Sequence, residues 1–488
     1  MKTGSYIDGE WYQPKSSRLI RNLNPANASE VICEYPAATA ECVQRAVEGA
    51  KEAFKTWSKV PSTERARVIW RATEIARGRV EEFGRTLTHE EGKILAEGCG
   101  EIRKGISVLE YYAGAGSRLA GRTLPAEGRN MFTYTIRRPM GVVGLITPWN
   151  FPWAIPVWKV APALVAGNTC VFKPSEITPN TAAHMVEIFE EAGLPKGCLQ
   201  MVVGFGDDVG QAIVDHPDVK AVSFTGSTAT GHKVYAAAAS RGAKVTCELG
   251  GKNAVIALAD ADVDGVVSAV MNGAFGSTGQ RCTATSRLLV HESIAGQVTE
   301  ALVEGAQALK IGPGLSEGVQ MGPIVDEQQY KSVLSYLEIG KGEAKCLTGG
   351  DKVEELSEGY FVQPTVFGDV APDARIFQEE IFGPVLSICT IKDLDQGIAY
   401  ANSVRYGLTA SLYTQDVYDS MRFVEEIETG MVHVNEPTVG GEAQLPFGGI
   451  KDTGVGDKEM SSDGLNFFTE EKTVFINFDK SAKRDFNR

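Results

Sequence analysis

Gly141-Val142-Val143-Gly144-Leu145-Ile146-Thr147-Pro148-Trp149-Asn150-Phe151-Pro152 begins as an apolar run and breaks into prolines, aromatics and one amide. From Gly141 to Trp158 there are eighteen residues without a charge, close to the length that spans a bilayer. Pro148, Pro152 and Pro156 would interrupt a helix there and strand backbone groups in lipid, so the stretch is expected to be a buried strand followed by an irregular loop. Comparable apolar runs recur downstream at Thr169 to Lys173, Gln200 to Val203, Ala221 to Thr225 and Lys244 to Leu249. Amphipathic segments separate them. After Thr178, for example, Pro179 suits a first helical position, Ala182, Met185, Val186, Phe189 and Ala192 share one face, and Gly193 ends the run. Strand and helix in alternation predict a mostly parallel sheet covered on both faces.

A second α/β block is expected from Lys252, where Val263, Val266, Val267, Val270, Met271 and Ala274 form an apolar helical stripe ahead of a glycine-rich stretch at Gly276 to Gln280. With 488 residues, 43% of them hydrophobic, two or three packed regions are expected. The segment from Thr123 to Arg138 and the run from Thr473 to Phe478 have no evident core of their own to join, which points to an oligomer contact. The net charge of −14, with Lys480 to Arg488 as the one basic run, argues against nucleic-acid or anionic-membrane partners. The first residues lack the apolar core of a signal peptide, so a cytoplasmic location with nine reduced cysteines is expected. No histidine or cysteine spacing suggests a metal site.

Chemistry concentrates in three segments. Cys282 follows the glycine-rich loop, where backbone amides can face the sulfur. Glu248, 34 residues upstream, ends an apolar run beside Gly250 and Gly251. Asn150 sits where the first strand breaks, between Trp149 and Phe151. A thiolate suits attack on a carbonyl carbon, and the resulting oxyanion needs donors that the Asn150 amide and the Cys282 N–H can supply. If the product is a thioester, water must cleave it, and a buried Glu248 with its pKa moved toward neutrality can act as the base. Taken singly, each residue has an ordinary reading as an inert thiol, a surface carboxylate or a turn former; their joint occurrence weakens those readings.

These segments, in this order and spacing, closely resemble the aldehyde dehydrogenase superfamily. Phe224-Thr225-Gly226-Ser227-Thr228, Lys173-Pro174-Ser175-Glu176, Glu379-Glu380-Ile381-Phe382 and Pro446-Phe447-Gly448-Gly449 extend the resemblance over nearly the whole chain. It implies a Rossmann-like cofactor domain (1–118 and 140–250), an α/β catalytic domain (251–451) and a small β oligomerisation element (119–139 and 452–488) that builds a homodimer or homotetramer. It also implies Cys282 as nucleophile, Glu248 as base, Asn150 as oxyanion donor, and Lys173 both at the cofactor and near the reaction centre. NAD, with NADP as the alternative, is expected to meet Thr147, Trp149, Lys173, Ser175, Glu176, Gly226, Ser227, Gly231, Leu249, Glu380 and Phe382. Glu176 would repel a 2′-phosphate and so favour NAD.

For the substrate, Trp149, Phe151, Trp153 and Trp158 near Asn150 suggest an apolar channel, with ordinary core as the other reading, and the resemblance adds Phe447 as a substrate contact. The wording around Asn150 and Cys282 is similar to α-ketoglutaric semialdehyde (2,5-dioxopentanoate) dehydrogenases. Arg281 is either the cation that meets such an acid or a structural ion-pair partner, and the sequence leaves both readings open. Trp158 stands where the succinate semialdehyde branch carries an arginine, which weighs against that substrate. Broad-specificity oxidation of aliphatic or aromatic aldehydes stays as an alternative. A CoA-acylating enzyme would not need Glu248, a non-catalytic relative would be expected to lack Cys282 or Asn150, and a Cys-His hydrolase has only His291 nearby, in an expected turn at Val290 to Ser293.

Overall fold

The computed structural model describes residues 4–479; the basic run from Lys480 lies outside the described residues. Two sheets form the frame. The first has eight strands, with Leu199–Met201, Thr169–Lys173, Val142–Ile146, Val219–Thr225 and Lys244–Glu248 as its parallel centre. The short Ser5–Ile7 and Glu10–Tyr12 strands close one edge and Gly454–Val455 the other, all antiparallel. Val142–Ile146 and Thr169–Lys173 are buried along their whole length, as expected of apolar strands covered on both faces.

The chain winds outward from Val142–Ile146 in one direction and resumes from Val219–Thr225 in the other. The carboxyl ends of these two paired strands therefore define a topological switch point, where open α/β sheets form crevices.

The second sheet has seven strands, in the order Lys345–Thr348, Thr365–Gly368, Val385–Ile391, Thr285–His291, Asn253–Ala257, Thr409–Tyr413 and Met431–Val434; only the first is antiparallel to its neighbour. Glu248 is the last residue of a strand in the first sheet and Asn253 the first of one in the second. The linker 249–252 thus carries the chain from the carboxyl end of one sheet to the amino end of the other. A separate three-stranded sheet, Thr469–Asn477, Met131–Pro139 and Thr123–Leu124, projects with Phe475, Phe132 and Leu124 exposed.

Three local expectations change. The irregular loop after the first strand is short, because a helix, Ala154–Ala166, already contains Pro156. A proline in the first turn removes an N–H that has no intrahelical acceptor, so Pro156 costs little there. The expected turn at Val290 to Ser293 is instead the end of a strand, with His291 capping helix Glu292–Ala308 through its ring nitrogen. Residues 452–468 do not belong with the projecting sheet: Gly454–Val455 edges the first sheet, and helix Ser461–Phe467 packs on Ala154–Ala166. All nine cysteines are free, and no helix among the described residues is long and apolar enough to cross a membrane.

Candidate active site

The switch point opens into two adjoining cavities. The inner, of about 250 Å³, is lined by Trp149, Asn150, Leu249, Gly250, Cys282, Glu380 and Phe382 among others. The outer, of about 760 Å³, is lined by Thr147, Trp149, Lys173, Ser175, Glu176, Gly226 and Ser227 among others. Trp149, Gly226 and Ser227 border both. Asn150 and Cys282, 132 positions apart, meet because a strand end of one sheet faces a strand start of the other; the Asn150 amide donates to Gln280 O at 3.1 Å, and one of its two N–H groups stays available.

Cys282 is held in a low-polarity setting. Burial pushes its thiol up to about 12, Glu380 and Glu248 add to the rise, and the backbone N–H groups of Thr283 and Cys282 itself oppose it. The thiol therefore rests protonated, and attack on a carbonyl needs a proton acceptor.

Glu248 does not line either cavity. Its carboxyl lies against Gly448 and Gly449, and any side chain at Gly448 (φ 153°) would collide with it. Its Oε2 has no hydrogen-bond partner, and burial, reinforced by Glu459, raises it well above the ordinary carboxylate range.

Two features near Glu248 and Asn150 were not legible in the sequence. Lys159 donates to Ser223 Oγ at 2.7 Å and to Glu459 Oε1. Ser223 Oγ and Trp158 Nε1 donate to the two oxygens of Glu459, at 2.8 and 2.7 Å. This buried chain of exchangeable protons reaches the Glu248 carboxyl electrostatically.

The second feature supports the Asn150 loop from beneath. Lys93 Nζ donates to Asn150 O at 2.7 Å and to Glu101 Oε2 at 2.8 Å, and lies 4.1 Å from the Phe151 ring centroid. Glu101 Oε1 accepts from Trp153 N at 2.9 Å and Ala154 N at 3.1 Å, satisfying amides at the helix start. Both charges are buried. Lys93→Met leaves Glu101 uncompensated and is expected to lower unfolding free energy by about 3–5 kcal/mol. Urea denaturation followed by circular dichroism measures it; a loss below about 1 kcal/mol, the size seen for surface pairs, would contradict this reading.

Several expected contacts resolve differently. Arg281 is an ion-pair residue: its guanidinium reaches Glu97 at 3.1 Å and Ser277 Oγ at 3.0 Å, and Glu97 also accepts from Ser277 N at 2.7 Å. Lys173 lies in the outer cavity only, donating to Pro174 O at 3.0 Å and Glu176 at 3.1 Å, so a place at the reaction centre is not seen. Gly231 lines neither cavity; a side chain there would strike Leu249, so this glycine serves close helix–strand packing. Phe151, Trp158 and Phe447 also stay out of both cavities. The Trp158 and Phe447 rings pack at a tilt of 34° with centroids 5.3 Å apart, and Phe151 and Cys282 pack against the same core. Thr147, Trp149, Ser175, Glu176, Gly226, Ser227, Leu249, Glu380 and Phe382 all line the cavities.

The model of the aldehyde dehydrogenase family matches residues 11–474. The chain belongs to the aldehyde dehydrogenase family. It is an oxidoreductase that acts on aldehydes. Among curated relatives of this dehydrogenase, α-ketoglutaric semialdehyde dehydrogenase of Bacillus subtilis is 43% identical over 97% of both chains. The 2,5-dioxopentanoate dehydrogenase of Saccharolobus solfataricus is 41% identical over 97% of this chain and 99% of that one. Among solved structures, a betaine aldehyde dehydrogenase of Staphylococcus aureus in complex with NAD+ superposes with a TM-score of 0.96 at 32% identity, covering 100% of this chain and 97% of that one.

A nicotinamide dinucleotide fits the dehydrogenase's cavities. Thr147 and Thr225 line the outer one with buried hydroxyls that have no partner. Ser227 caps helix Thr228–Ser240, whose first-turn amides favour a phosphate. Glu380 accepts from Gly251 N at 2.9 Å and is pushed up to about 7 by burial, a carboxyl suited to bonding a hydroxyl at the inner end.

Proposed function

We propose that this aldehyde dehydrogenase oxidises 2,5-dioxopentanoate to the dicarboxylate with NAD as acceptor, through a thioester on Cys282. The observation that carries the reading is the inner cavity, which brings Cys282, Asn150 and Glu380 together at the mouth of the dinucleotide-sized outer cavity. The names of the relatives from B. subtilis and S. solfataricus supply the acid semialdehyde, and the NAD+ complex of the S. aureus relative supports the cofactor.

Thr147, Lys173, Ser175, Glu176, Gly226 and Ser227 hold the adenosine and phosphate portion, and Trp149, Leu249, Glu380 and Phe382 the nicotinamide portion. When bound, the nicotinamide ring accepts the hydride that converts the cysteine adduct to a thioester. The Cys282 thiol releases its proton to solvent in the inner cavity as Sγ bonds to the aldehyde carbon, while the Asn150 amide and the Cys282 N–H donate to the new oxyanion. Glu248, rotated toward the thioester, takes a proton from water as the water oxygen bonds to the acyl carbon; the C–S bond breaks, releasing the carboxylate and returning the sulfur to Cys282, and the proton passes toward Glu459, which Lys159 and Ser223 hydrogen-bond. Lys93 and Glu101 act through Asn150 by fixing the loop that carries it. The exposed apolar strands of the projecting sheet support assembly as a homodimer or homotetramer, and the acidic chain supports a cytoplasmic enzyme.

Initial rates of nicotinamide reduction with NAD and NADP, across 2,5-dioxopentanoate, succinate semialdehyde, glutaraldehyde, hexanal and benzaldehyde, test this function. The expected result is the highest kcat/KM with 2,5-dioxopentanoate and NAD. A preference for hexanal or benzaldehyde would replace the acid-semialdehyde reading with broad specificity.

A further inference from the structure

This inference rests on the proposed acidic substrate, whose far carboxylate needs a cation within reach of Cys282. The buried cations around the nucleophile are already engaged: Arg281 by Glu97, Lys93 by Glu101 and Lys159 by Glu459. Lys252 is wholly enclosed, borders a cavity of only about 20 Å³ together with Glu380 and Phe382, and does not line the inner cavity.

Lys104 differs from all of these. It lies on helix Leu95–Ala115 one turn beyond Glu101, beside Gly105, whose close neighbour is Trp153. Its side chain is half-buried, and its one hydrogen-bond acceptor among the described residues is the Gly441 carbonyl, with Glu442 as its charged neighbour. An ammonium has three donors, so binding capacity remains.

The segment that holds Gly441 begins beside the nucleophile, where Thr438 Oγ1 donates to Thr283 O at 2.9 Å. It ends at Phe447, whose ring packs against that of Trp158. Three residues of chain reach at most about 10 Å, which limits how far Gly441 can stand from Thr438. Neither Lys104 nor Gly441 borders the two cofactor cavities. Gly440 and Gly441 have φ of 126° and 158°, and a side chain at Gly440 would meet nothing within 4 Å, so the segment leaves open space there.

We propose that Lys104 is the specificity-determining cation that receives the substrate's terminal carboxylate at the open Gly440–Gly441 segment. Partial burial holds its amine below the ordinary lysine range against the opposing pull of Glu442, and an arriving carboxylate compensates that lost hydration.

The test compares Lys104→Met with wild type on 2,5-dioxopentanoate and on pentanal, an uncharged aldehyde of equal carbon number, at saturating NAD. Loss of a charge-assisted bond to the remote carboxylate is expected to raise KM for the keto acid by roughly 10- to 100-fold with kcat little changed. The KM for pentanal is expected to stay the same, and Lys104→Arg to recover most of the keto-acid affinity. An unmoved keto-acid KM, or an equal rise for both aldehydes, overturns the proposal while wild-type preference for the keto acid stands. If wild type itself does not prefer the keto acid to pentanal, the substrate reading fails, and this assignment with it.

Discussion

Cys282→Ala is expected to lower aldehyde-dependent nicotinamide reduction by on the order of 10⁴-fold or more, because the proposed route has no covalent adduct without the thiol. Cys282 is the one cysteine lining the inner cavity, and Cys170, Cys198 and Cys247 are buried with thiols pushed up by burial. No neighbouring thiol is therefore placed to substitute. Removing one sulfur beside an existing cavity should leave the fold intact, and quenching of tryptophan fluorescence by added NAD, with Trp149 in the cavity wall, checks it. Retention of more than about a hundredth of wild-type turnover, with NAD binding unchanged, would assign the nucleophile elsewhere.

The second large effect is expected at Glu248, and its signature is a pH profile. Burial and the neighbouring Glu459 hold the carboxyl well above the ordinary range. It therefore keeps its proton to higher pH than an ordinary carboxylate and becomes a base only as pH rises through its raised pKa. Turnover limited by thioester cleavage should then climb with pH across that interval in wild type. Glu248→Gln should slow cleavage by roughly 10²- to 10⁴-fold and flatten the climb. The same displacement gives a stability sign. A carboxyl whose folded pKa exceeds its unfolded value binds more protons when folded, so its contribution to stability falls as pH rises toward the folded pKa. Glu248→Gln should remove that part of the pH dependence of unfolding, and an unchanged kinetic profile in the variant would remove Glu248 from the role of base.

The parallel strands were legible because each is a short apolar run rich in β-branched residues between turn formers; Thr169–Lys173 and Lys244–Glu248 lie where the pattern put them. Cys282, Glu248 and Asn150 could be picked out because each sits at the edge of such a run, where the backbone changes direction. The start of helix Ala154–Ala166 was masked by Pro152 and Pro156, whose usual meaning is a break. The roles of Arg281 and Trp158 depend on partners 184 and 301 positions away, Glu97 and Glu459. No local pattern encodes those pairings. Lys93 and Glu101 were hidden for a related reason: eight residues apart on the sequence, they look like solvated helix charges, and only the docking of the 150–154 segment buries them. The resemblance groups residues 452–468 with the oligomerisation element, and two-residue strands such as Gly454–Val455 leave no periodicity that would separate them.

The most direct test of the central claim is intact-protein and peptide mass spectrometry on Glu248→Gln, mixed with 2,5-dioxopentanoate and NAD and quenched in acid within the first turnover. The account predicts a mass increase equal to the acyl group of the oxidised substrate, carried by the peptide containing Cys282 and absent when NAD is omitted. An unmodified Cys282 peptide while nicotinamide is being reduced, or the acyl group on any other residue, would contradict it.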